Sequence, residues 1–124
     1  CVWNGSTLAL ENVKTWQWST STCITSVSTG DVDGDGLKEI ITGGWYFAGS
    51  VYNVQLCVWS GSNLALEDYR VWYYCNTQLF VASPSQFSVV CSDINDDSLA
   101  AEIVTGGSYY SNCWNARLIE WQMT

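Results

Sequence analysis

Four carboxylates lie close together in the stretch "TGDVDGDGLKEIITGG", residues 29–44. Asp31, Asp33 and Asp35 alternate with small residues, and Glu39 follows at the ninth position of the run. Unpaired carboxylates repel one another, and Lys38 is the only basic residue nearby. Calcium takes six to eight oxygen ligands in a flexible shell, and mixed carboxylate and carbonyl donors suit it. The spacing therefore predicts a Ca²⁺ site in this loop.

Two other interpretations compete with this calcium site. An EF-hand loop also begins with alternating carboxylates, but its twelfth position needs a bidentate Glu, and Thr42 stands there. The residues on both sides of the run also favour strands over the helices of an EF-hand. A solvated acidic turn that holds no metal is the remaining alternative.

A second acidic stretch, "DINDDSLAAE", follows the same alternation less closely. Asp93, Asn95 and Asp97 keep the spacing, but Ser98 replaces the second glycine. One additional residue is expected to move Glu102 out of register. We expect either a weaker metal site or a turn held together by its own Asx side chains.

Six cysteines are spread along the chain, and none forms a CxxC pair. Because the chain has no His, a zinc site is not favoured, and an even cysteine count predicts disulfides in an oxidising compartment. The spacing does not choose among the possible pairings, and free buried thiols are the alternative. The candidates for disulfide formation are Cys1, Cys23, Cys57, Cys75, Cys91 and Cys113.

Composition excludes several functional classes. The chain has 124 residues with a formal net charge of −8, eight Trp, seven Tyr and no His. Such an acidic chain is a poor partner for nucleic acid, and proton-shuttling catalysis lacks its commonest residue. No apolar stretch approaches the length of a membrane span. Because there is no initiator Met or signal peptide, we expect a mature or excised piece.

The sequence repeats itself. "CVWNGSTLALENVKTW" at 1–16 returns as "CVWSGSNLALEDYRVW" at 57–72, and "EIITGGWYFAG" at 39–49 returns as "EIVTGGSYYSN" at 102–112. We divide the chain, as a single unit of 1–124, into repeat 1 (1–56), repeat 2 (57–118) and the start of a third repeat (119–124). An insertion around Pro84 accounts for most of the added length of repeat 2.

Each repeat predicts four short strands. Segments such as "EIITGG" and "VQLCVW" are rich in β-branched and aromatic residues and are bounded by Gly, Asn and Ser. Four short antiparallel strands per repeat are typical of a β-propeller blade. The fold class is therefore all-β, with about two blades per chain, one of them split between the termini. Only the central blade, from about 24 to 74, is expected to be complete.

These motifs resemble the FG-GAP or VCBS repeats of integrin-like β-propellers. A strand running into a D-x-D-x-D-G-x-x-E loop and then into an apolar strand ending in Gly-Gly carries the likeness. The "VWNGSTLALENVKTW" segment is similar to the version found in secreted archaeal proteins. The resemblance implies that calcium is held by the side chains of Asp31, Asp33, Asp35 and Glu39 and by the Leu37 carbonyl. In the second loop the corresponding set is Asp93, Asn95, Asp97, Leu99 and Glu102.

Aromatic residues follow the Gly-Gly pair in both repeats: Trp45 and Tyr46 in the first, Tyr109 and Tyr110 in the second. Beside polar groups such as Asn53, Asn112 and Asn115 they could stack on sugar rings, but packing between blades is favoured. The periodic residues Trp3, Trp16, Trp59 and Trp72 are predicted to be core. Asn4, in "NGS", is a candidate glycosylation acceptor.

Sheets with unpaired edges recruit other chains, which predicts self-association. The first hypothesis is an extracellular or cell-surface, calcium-stabilised module that assembles head to tail, residues 8–16 of one copy pairing with 116–121 of another. A filament or a closed ring would result. The alternative is a lectin made of oligomerised two-blade chains, with glycans or other surface proteins as partners. Without His, an enzyme is not expected.

Overall fold

The computed structural model describes residues 1–49, 51–76, 87–97, 99–110 and 114–123, with backbone only at 73–76, 108–110 and 114–117. In these parts of the chain the regular structure is entirely β, which confirms the all-β fold class. The described strands are β1 (Val2–Trp3), β2 (Leu10–Asn12), β3 (Ser21–Gly30), β4 (Glu39–Ala48), β5 (Val51–Trp59), β6 (Leu66–Asn76), β7 (Ser88–Ser92), β8 (Glu102–Tyr110) and β9 (Trp114–Trp121). No described segment forms a helix long and apolar enough to cross a bilayer.

The strands form three antiparallel sheets. The N-terminal hairpin is β1–β2, the central sheet has the order β3-β4-β5-β6, and the C-terminal sheet has the order β7-β8-β9. Every neighbour in a sheet is also the neighbour in sequence, so each sheet is a simple meander. The central sheet spans residues 21–76, slightly more than the range of 24–74 expected for the complete unit.

Two turns with similar sequences have the same backbone geometry. Leu8 and Leu64 both have positive φ angles, 56° and 57°. The Leu8 N–H donates to the Asn4 carbonyl at 2.8 Å, and the Leu64 N–H donates to the Ser60 carbonyl at 3.0 Å. Left-handed leucine is uncommon, so the repeated "GS-x-L-A-L" pattern encodes a specific turn that connects β1 to β2 and β5 to β6.

The core lies between the central and C-terminal sheets. On the central sheet, Val54, Leu56 and Val58 alternate along β5 and point to this side, where they meet residues of the C-terminal sheet. We call this side the core face of the central sheet. Trp72, Trp121 and Met123 pack around its margin. The buried apolar cluster comprises Val32, Ile41, Val54, Leu56, Val58, Phe87, Val89 and Ile103.

The edge strands β3 and β7 of these two sheets are joined by hydroxyl groups. The Val89 N–H donates to Ser26 Oγ at 3.0 Å, and the Cys91 N–H donates to Ser28 Oγ at 3.1 Å. The Thr25 hydroxyl donates to the Phe87 carbonyl at 2.8 Å. The exposed backbone edge of β7 is thereby satisfied, which ties the two sheets together without adding a strand pair.

The opposite side of the central sheet, here called the arm face, is partly covered by the segment that follows β2. Trp16 stacks on Trp59 with ring centroids 4.5 Å apart, and Trp18 lies 5.1 Å from Tyr69. The Trp59 indole N–H donates to Thr42 Oγ1 at 2.9 Å, and Trp59 is buried. The tryptophans of the segment before β3 therefore anchor the N-terminal part of the chain to this face.

The prediction of a core position is wrong for Trp3. Trp59 is buried, and Trp16 and Trp72 are half-buried in ring contacts, whereas Trp3 is 54% exposed. Trp3 lies in β1, whose one strand partner among the described residues is β2. A two-stranded hairpin offers no second layer of side chains, so its tryptophan remains in solvent.

The predicted disulfides are not found among the described cysteines. Cys1, Cys23, Cys57 and Cys91 all carry free thiols, and the side chains of Cys75 and Cys113 lie outside the described residues. Burial raises the pKa of the Cys57 thiol to about 11, and burial also raises the pKa of Cys91. Because β5 places Cys57 on the arm face beneath other side chains, it acts as a small apolar residue there.

Candidate metal centre

The first acidic loop, residues 31–38, joins β3 to β4. Gly34 and Gly36 adopt φ angles of 81° and 87°, a region that side chains disfavour, so the chain can curl around its own carboxylates. Asp31 accepts the Gly34 N–H at 2.7 Å through Oδ1 and the Gly36 N–H at 2.9 Å through Oδ2. The alternation of Asp and Gly thus produces a tight loop with oxygen atoms directed inward.

Three carboxylates converge at this loop. Ligand oxygens of Asp31, Asp33 and Glu39 all lie within 4.8 Å of one another, and this is the one such group among the described residues. Calcium–oxygen distances are about 2.3–2.6 Å, so two ligands on opposite sides of one ion are about 5 Å apart. The oxygen donors and their separation therefore fit a calcium ion.

Glu39 forms the floor of the group. Its side chain is buried, and its Oε2 accepts the Val32 N–H at 2.9 Å. Burial raises the pKa of the Glu39 carboxyl, and nearby acidic groups, chiefly Asp33, raise it further, while the Val32 hydrogen bond acts in the opposite direction. A buried carboxylate beside other carboxylates is unfavourable, and a divalent cation would relieve it.

Two residues of the predicted set lie outside the converging group. Asp35 is not part of it, and its Oδ1 accepts the Leu37 N–H at 2.7 Å. The Leu37 side chain is exposed, and its carbonyl remains a predicted ligand only. The structure therefore brings together three of the four side chains that the sequence assigned to the ion.

The second acidic loop has the same framework. Asn95 Oδ1 accepts the Asp97 N–H at 3.0 Å and Asp97 Oδ1 accepts the Leu99 N–H at 2.9 Å. The corresponding bonds of the first loop are Asp35 N–H to Asp33 Oδ1 at 3.1 Å and the Leu37 N–H bond to Asp35. At the position of Gly34, Asp96 adopts a φ of 57°.

Glu102 is not displaced by the additional residue, contrary to the expectation from sequence. It is buried, and its Oε2 accepts the Ile94 N–H at 3.0 Å, just as Glu39 accepts from Val32. The additional residue lies between Leu99 and Glu102, where Ala101 donates its N–H to the Asp31 carbonyl at 2.7 Å. The insertion therefore bulges toward the first loop and leaves the buried glutamate in place.

The partners of the two buried glutamates differ. Glu102 Oε1 accepts from Asn95 Nδ2 at 3.0 Å and from Gln122 Nε2 at 3.3 Å, in addition to the Ile94 bond at Oε2. Glu39 faces the carboxylate of Asp33 where Glu102 faces the amide of Asn95. The buried glutamate of the second loop thus accepts hydrogen bonds from two side-chain amides. One of them, Gln122, lies outside the loop and is a partner that the sequence pattern did not reveal.

The aromatic residues after the Gly-Gly pair are engaged in packing where they are described. Trp45 lies 5.3 Å from Tyr52, edge to face, and Tyr46 stacks with Trp18 at 6.2 Å. The side chains of Tyr109, Tyr110 and Asn115 and all of Asn112 lie outside the described residues, as does Pro84.

The candidate glycosylation acceptor lies in the turn of the N-terminal hairpin. Asn4 Oδ1 accepts the N–H groups of Ser6 and Thr7, and its Nδ2 donates to Glu11 at 2.9 Å. The side chain therefore has a role in forming the turn.

Comparisons with protein-family models, with curated proteins and with solved structures find no match to this chain. The case for its function therefore depends on the geometry of the two loops and on the edges and faces of the three sheets.

Proposed function

We propose that this protein is a non-enzymatic, calcium-stabilised building block whose sheets are β-propeller blades, and that copies of it associate head to tail through their terminal strands. One observation carries the proposal. In the described structure β9 forms the outer edge of a three-stranded sheet, while β2 belongs to a two-stranded hairpin. An unpaired edge recruits another strand, and β2 of a second copy fits it.

The fit follows from strand register. In the central sheet, Trp59 pairs with Leu66 and Val58 pairs with Asp68. In the N-terminal hairpin, Trp3 pairs with Leu10 and Val2 pairs with Asn12. The segments "VW" and "LE" therefore recur with the same pairing, and β2 corresponds to the first residues of β6.

The same register gives the proposed contact between two copies. Trp121 ends β9 as Trp59 ends β5, and each indole N–H donates to a buried threonine, at 3.0 Å to Thr105 and at 2.9 Å to Thr42. Leu10 of a second copy would pair with Trp121, and Asn12 with Glu120. β1 corresponds to the end of β9. In the proposed contact, β9 of the first copy therefore replaces β1 as the strand partner of β2 in the second copy.

Calcium would brace the central sheet. Asp31 and Glu39 lie at the adjoining ends of β3 and β4, so an ion bound to both would fix the connection between the two inner strands. Extracellular modules bind calcium with dissociation constants of about 10⁻⁴–10⁻³ M, which suits a site of few ligands. We place the protein outside the cell or at its surface.

Sugar binding is not part of this proposal. The described rings of Trp45 and Tyr46 contact other aromatic side chains, which supports the packing role over a lectin site.

The experiment measures the size of the particles. Light scattering and electron microscopy of the purified chain in millimolar calcium are expected to show rings or filaments. A synthetic peptide of residues 8–16 in excess should occupy the β9 edge and reduce the particles to small species. The matched control is the same peptide with Glu11→Pro, because proline removes a donor and does not pair within a sheet. Monomers at every concentration would contradict the proposal.

A further inference from the structure

The contact between the central and C-terminal sheets provides a template for a contact between copies. At its centre, Val89 and Phe87 lie directly over Gly43, so closely that a Cβ at Gly43 would collide with both side chains. Leu56, the strand neighbour of Gly43, is buried in the same contact. A glycine on one sheet thus receives a valine and a phenylalanine from the other.

Both sheets carry the valine and the glycine–leucine pair of this contact, although Thr25 of the central sheet stands at the position of Phe87. Val89 is paired with Thr105 in the C-terminal sheet, and Val27 is paired with Thr42 in the central sheet. Likewise Gly43 is paired with Leu56, and Gly106 is paired with Leu118. Residues directly opposite each other in a sheet share a face, so the equivalent side chains point to equivalent sides.

In each set of equivalent residues, one member is buried and the other is exposed. Val89 is 6% exposed and Leu56 is 3% exposed, because the two sheets cover them. Their equivalents Val27 and Leu118 are 62% and 76% exposed. Val27 lies on the arm face of the central sheet, and Leu118 lies on the side of the C-terminal sheet that faces away from the core.

The space around these exposed residues is open. Among the described residues, the atom nearest to a Cβ placed at Gly106 would be Leu118 Cδ1 at 3.9 Å, in contrast to the crowded Gly43. On the arm face, Val27, Ile24 and Ile40 line a groove of about 300 Å³ whose other wall is formed by Cys1, Val2 and Trp16. The molecule therefore presents a vacant glycine at one end and an unburied valine at the other.

We propose that the outward side of the C-terminal sheet of one copy packs on the arm face of the central sheet of the next, with Val27 placed over Gly106 and Leu118 as Val89 is placed over Gly43 and Leu56. The inference rests on the proposed head-to-tail association and adds to it the apolar contact between sheets. The occupant is a second copy because the arm face carries the valine, and the outward side carries the glycine and leucine, that cover one another within one chain.

The proposed contact between copies has fewer hydroxyl groups available for hydrogen bonds than the contact within the chain. Within the chain, Ser26 and Ser28 accept backbone N–H groups of β7. The equivalent positions of β7 are Ser88 and Val90, so one of the two hydroxyl acceptors is kept and the other is replaced by an exposed valine. We therefore expect apolar burial to supply most of the association between copies.

The test uses one variant for each half of the contact. Val27→Asp places a charge on the arm face, and Gly106→Leu fills the vacant place; Leu118→Asp is a second variant of that same side. All three positions are open in the single chain, so the melting temperature should stay within a few degrees of the unmodified protein. The control is Ala65→Asp, which places the same charge on an exposed alanine in the turn between β5 and β6.

Each contact variant alone is expected to be monomeric in light scattering, while the control assembles like the unmodified chain. Mixed in equal amounts, Val27→Asp and Gly106→Leu should form a dimer and no larger particle, because each chain keeps one intact face. If both contact variants assembled like the unmodified chain and remained sensitive to the 8–16 peptide, this inference would fail while the proposed association stood. If the unmodified chain did not assemble, both would fail.

Discussion

The two acidic loops are built on one plan and satisfy their buried glutamate in different ways. Glu39 and Glu102 both lie at the start of a second strand, and each accepts a backbone N–H from the opposite side of its loop. At the third loop position the first loop has Asp33 and the second has Asn95. Exchanging one carboxylate oxygen for an amide nitrogen turns a repulsive contact into a hydrogen bond.

The difference shows that one loop framework can hold its buried glutamate with or without a side-chain hydrogen-bond donor at the third position. In the second loop, Asn95 and Gln122 supply donors to Glu102, so its charge is compensated within the chain. In the first loop the carboxylates of Asp31, Asp33 and Glu39 converge, and no described side chain forms an ion pair with them. A cation is therefore expected at the first loop and is dispensable at the second.

Removal of calcium should have the largest effect. A ligand bound by the folded state alone stabilises it by about 2.7 kcal/mol at one hundred times its dissociation constant, which for the weak site proposed above means about 10–100 mM calcium. Chelation should lower the melting temperature by several degrees, as measured by thermal denaturation followed by circular dichroism. Asp33→Asn should abolish most of this difference, and it should raise the stability of the metal-free protein slightly because it removes a repulsion.

The matched control for Asp33→Asn is Asp97→Asn, which alters the second loop. It should leave the response to chelator unchanged. Equal melting curves with and without chelator for the unmodified protein would rule out a stabilising ion at either loop.

Asn95→Asp should have an intermediate effect and would convert the second loop toward the first. The change removes one of the two donors to Glu102 Oε1 and places a second carboxylate beside a buried one. In the absence of calcium we expect a loss of about 1–3 kcal/mol in the free energy of unfolding, measured by urea denaturation. Calcium should recover part of this loss, and isothermal titration should show a second, weaker site.

A loss without any recovery by calcium would show that the carboxylate at this position is not sufficient for metal binding. Asn95→Ser, which removes the amide without adding a charge, separates the lost hydrogen bond from the added repulsion.

Substitutions at the two loop positions with positive φ angles should change the free energy of unfolding least. Gly34 and Asp96 occupy equivalent loop positions with φ angles of 81° and 57°. Gly34→Ala should cost about 1–2 kcal/mol, because the left-handed region is unfavourable for a side chain. Asp96→Gly should change stability by no more than a few tenths of a kcal/mol, since aspartate tolerates that region and glycine increases the freedom of the unfolded chain. Urea denaturation measures the change in the free energy of unfolding for both variants. If Gly34→Ala cost no more than Asp96→Gly, the left-handed conformation of Gly34 would not be a requirement of the loop.

The strands and the first acidic loop could be predicted from local sequence. Alternating apolar residues, Gly-rich turns and the D-x-D-x-D-G pattern gave the strands β3 to β6 and the position of the first loop, because these features depend on residues that are close in sequence. The register of Glu102 could not be predicted this way. A spacing rule assumes a loop of constant shape, and the bulge at Ala100 and Ala101 absorbs the additional residue.

The repeat pattern also could not predict which of the repeated apolar residues are buried. Trp3 and Trp59 both follow Cys-Val and both come just before Gly-Ser, yet Trp59 is buried and Trp3 is exposed. Val89 and Leu56 are likewise buried, whereas their structural equivalents Val27 and Leu118 are exposed. Whether a periodic apolar residue is buried depends on which sheet lies over it, and that is a property of the packed layers.

The sequence by itself determined the strands, their turns and the types of oxygen-bearing side chain in each loop, since backbone preference and the chemistry of a side chain are local. Tertiary structure alone decided which carboxylates meet, that Gln122 reaches Glu102 from a distant strand, that the described cysteines stay unpaired and which copy of each apolar residue is covered. The carboxylates meet through the folding of their own loop, whereas the Gln122 contact, the cysteine environments and the burial of apolar residues depend on segments that are not neighbours in sequence. Packing of the central and C-terminal sheets brings such segments together, and no local pattern encodes it.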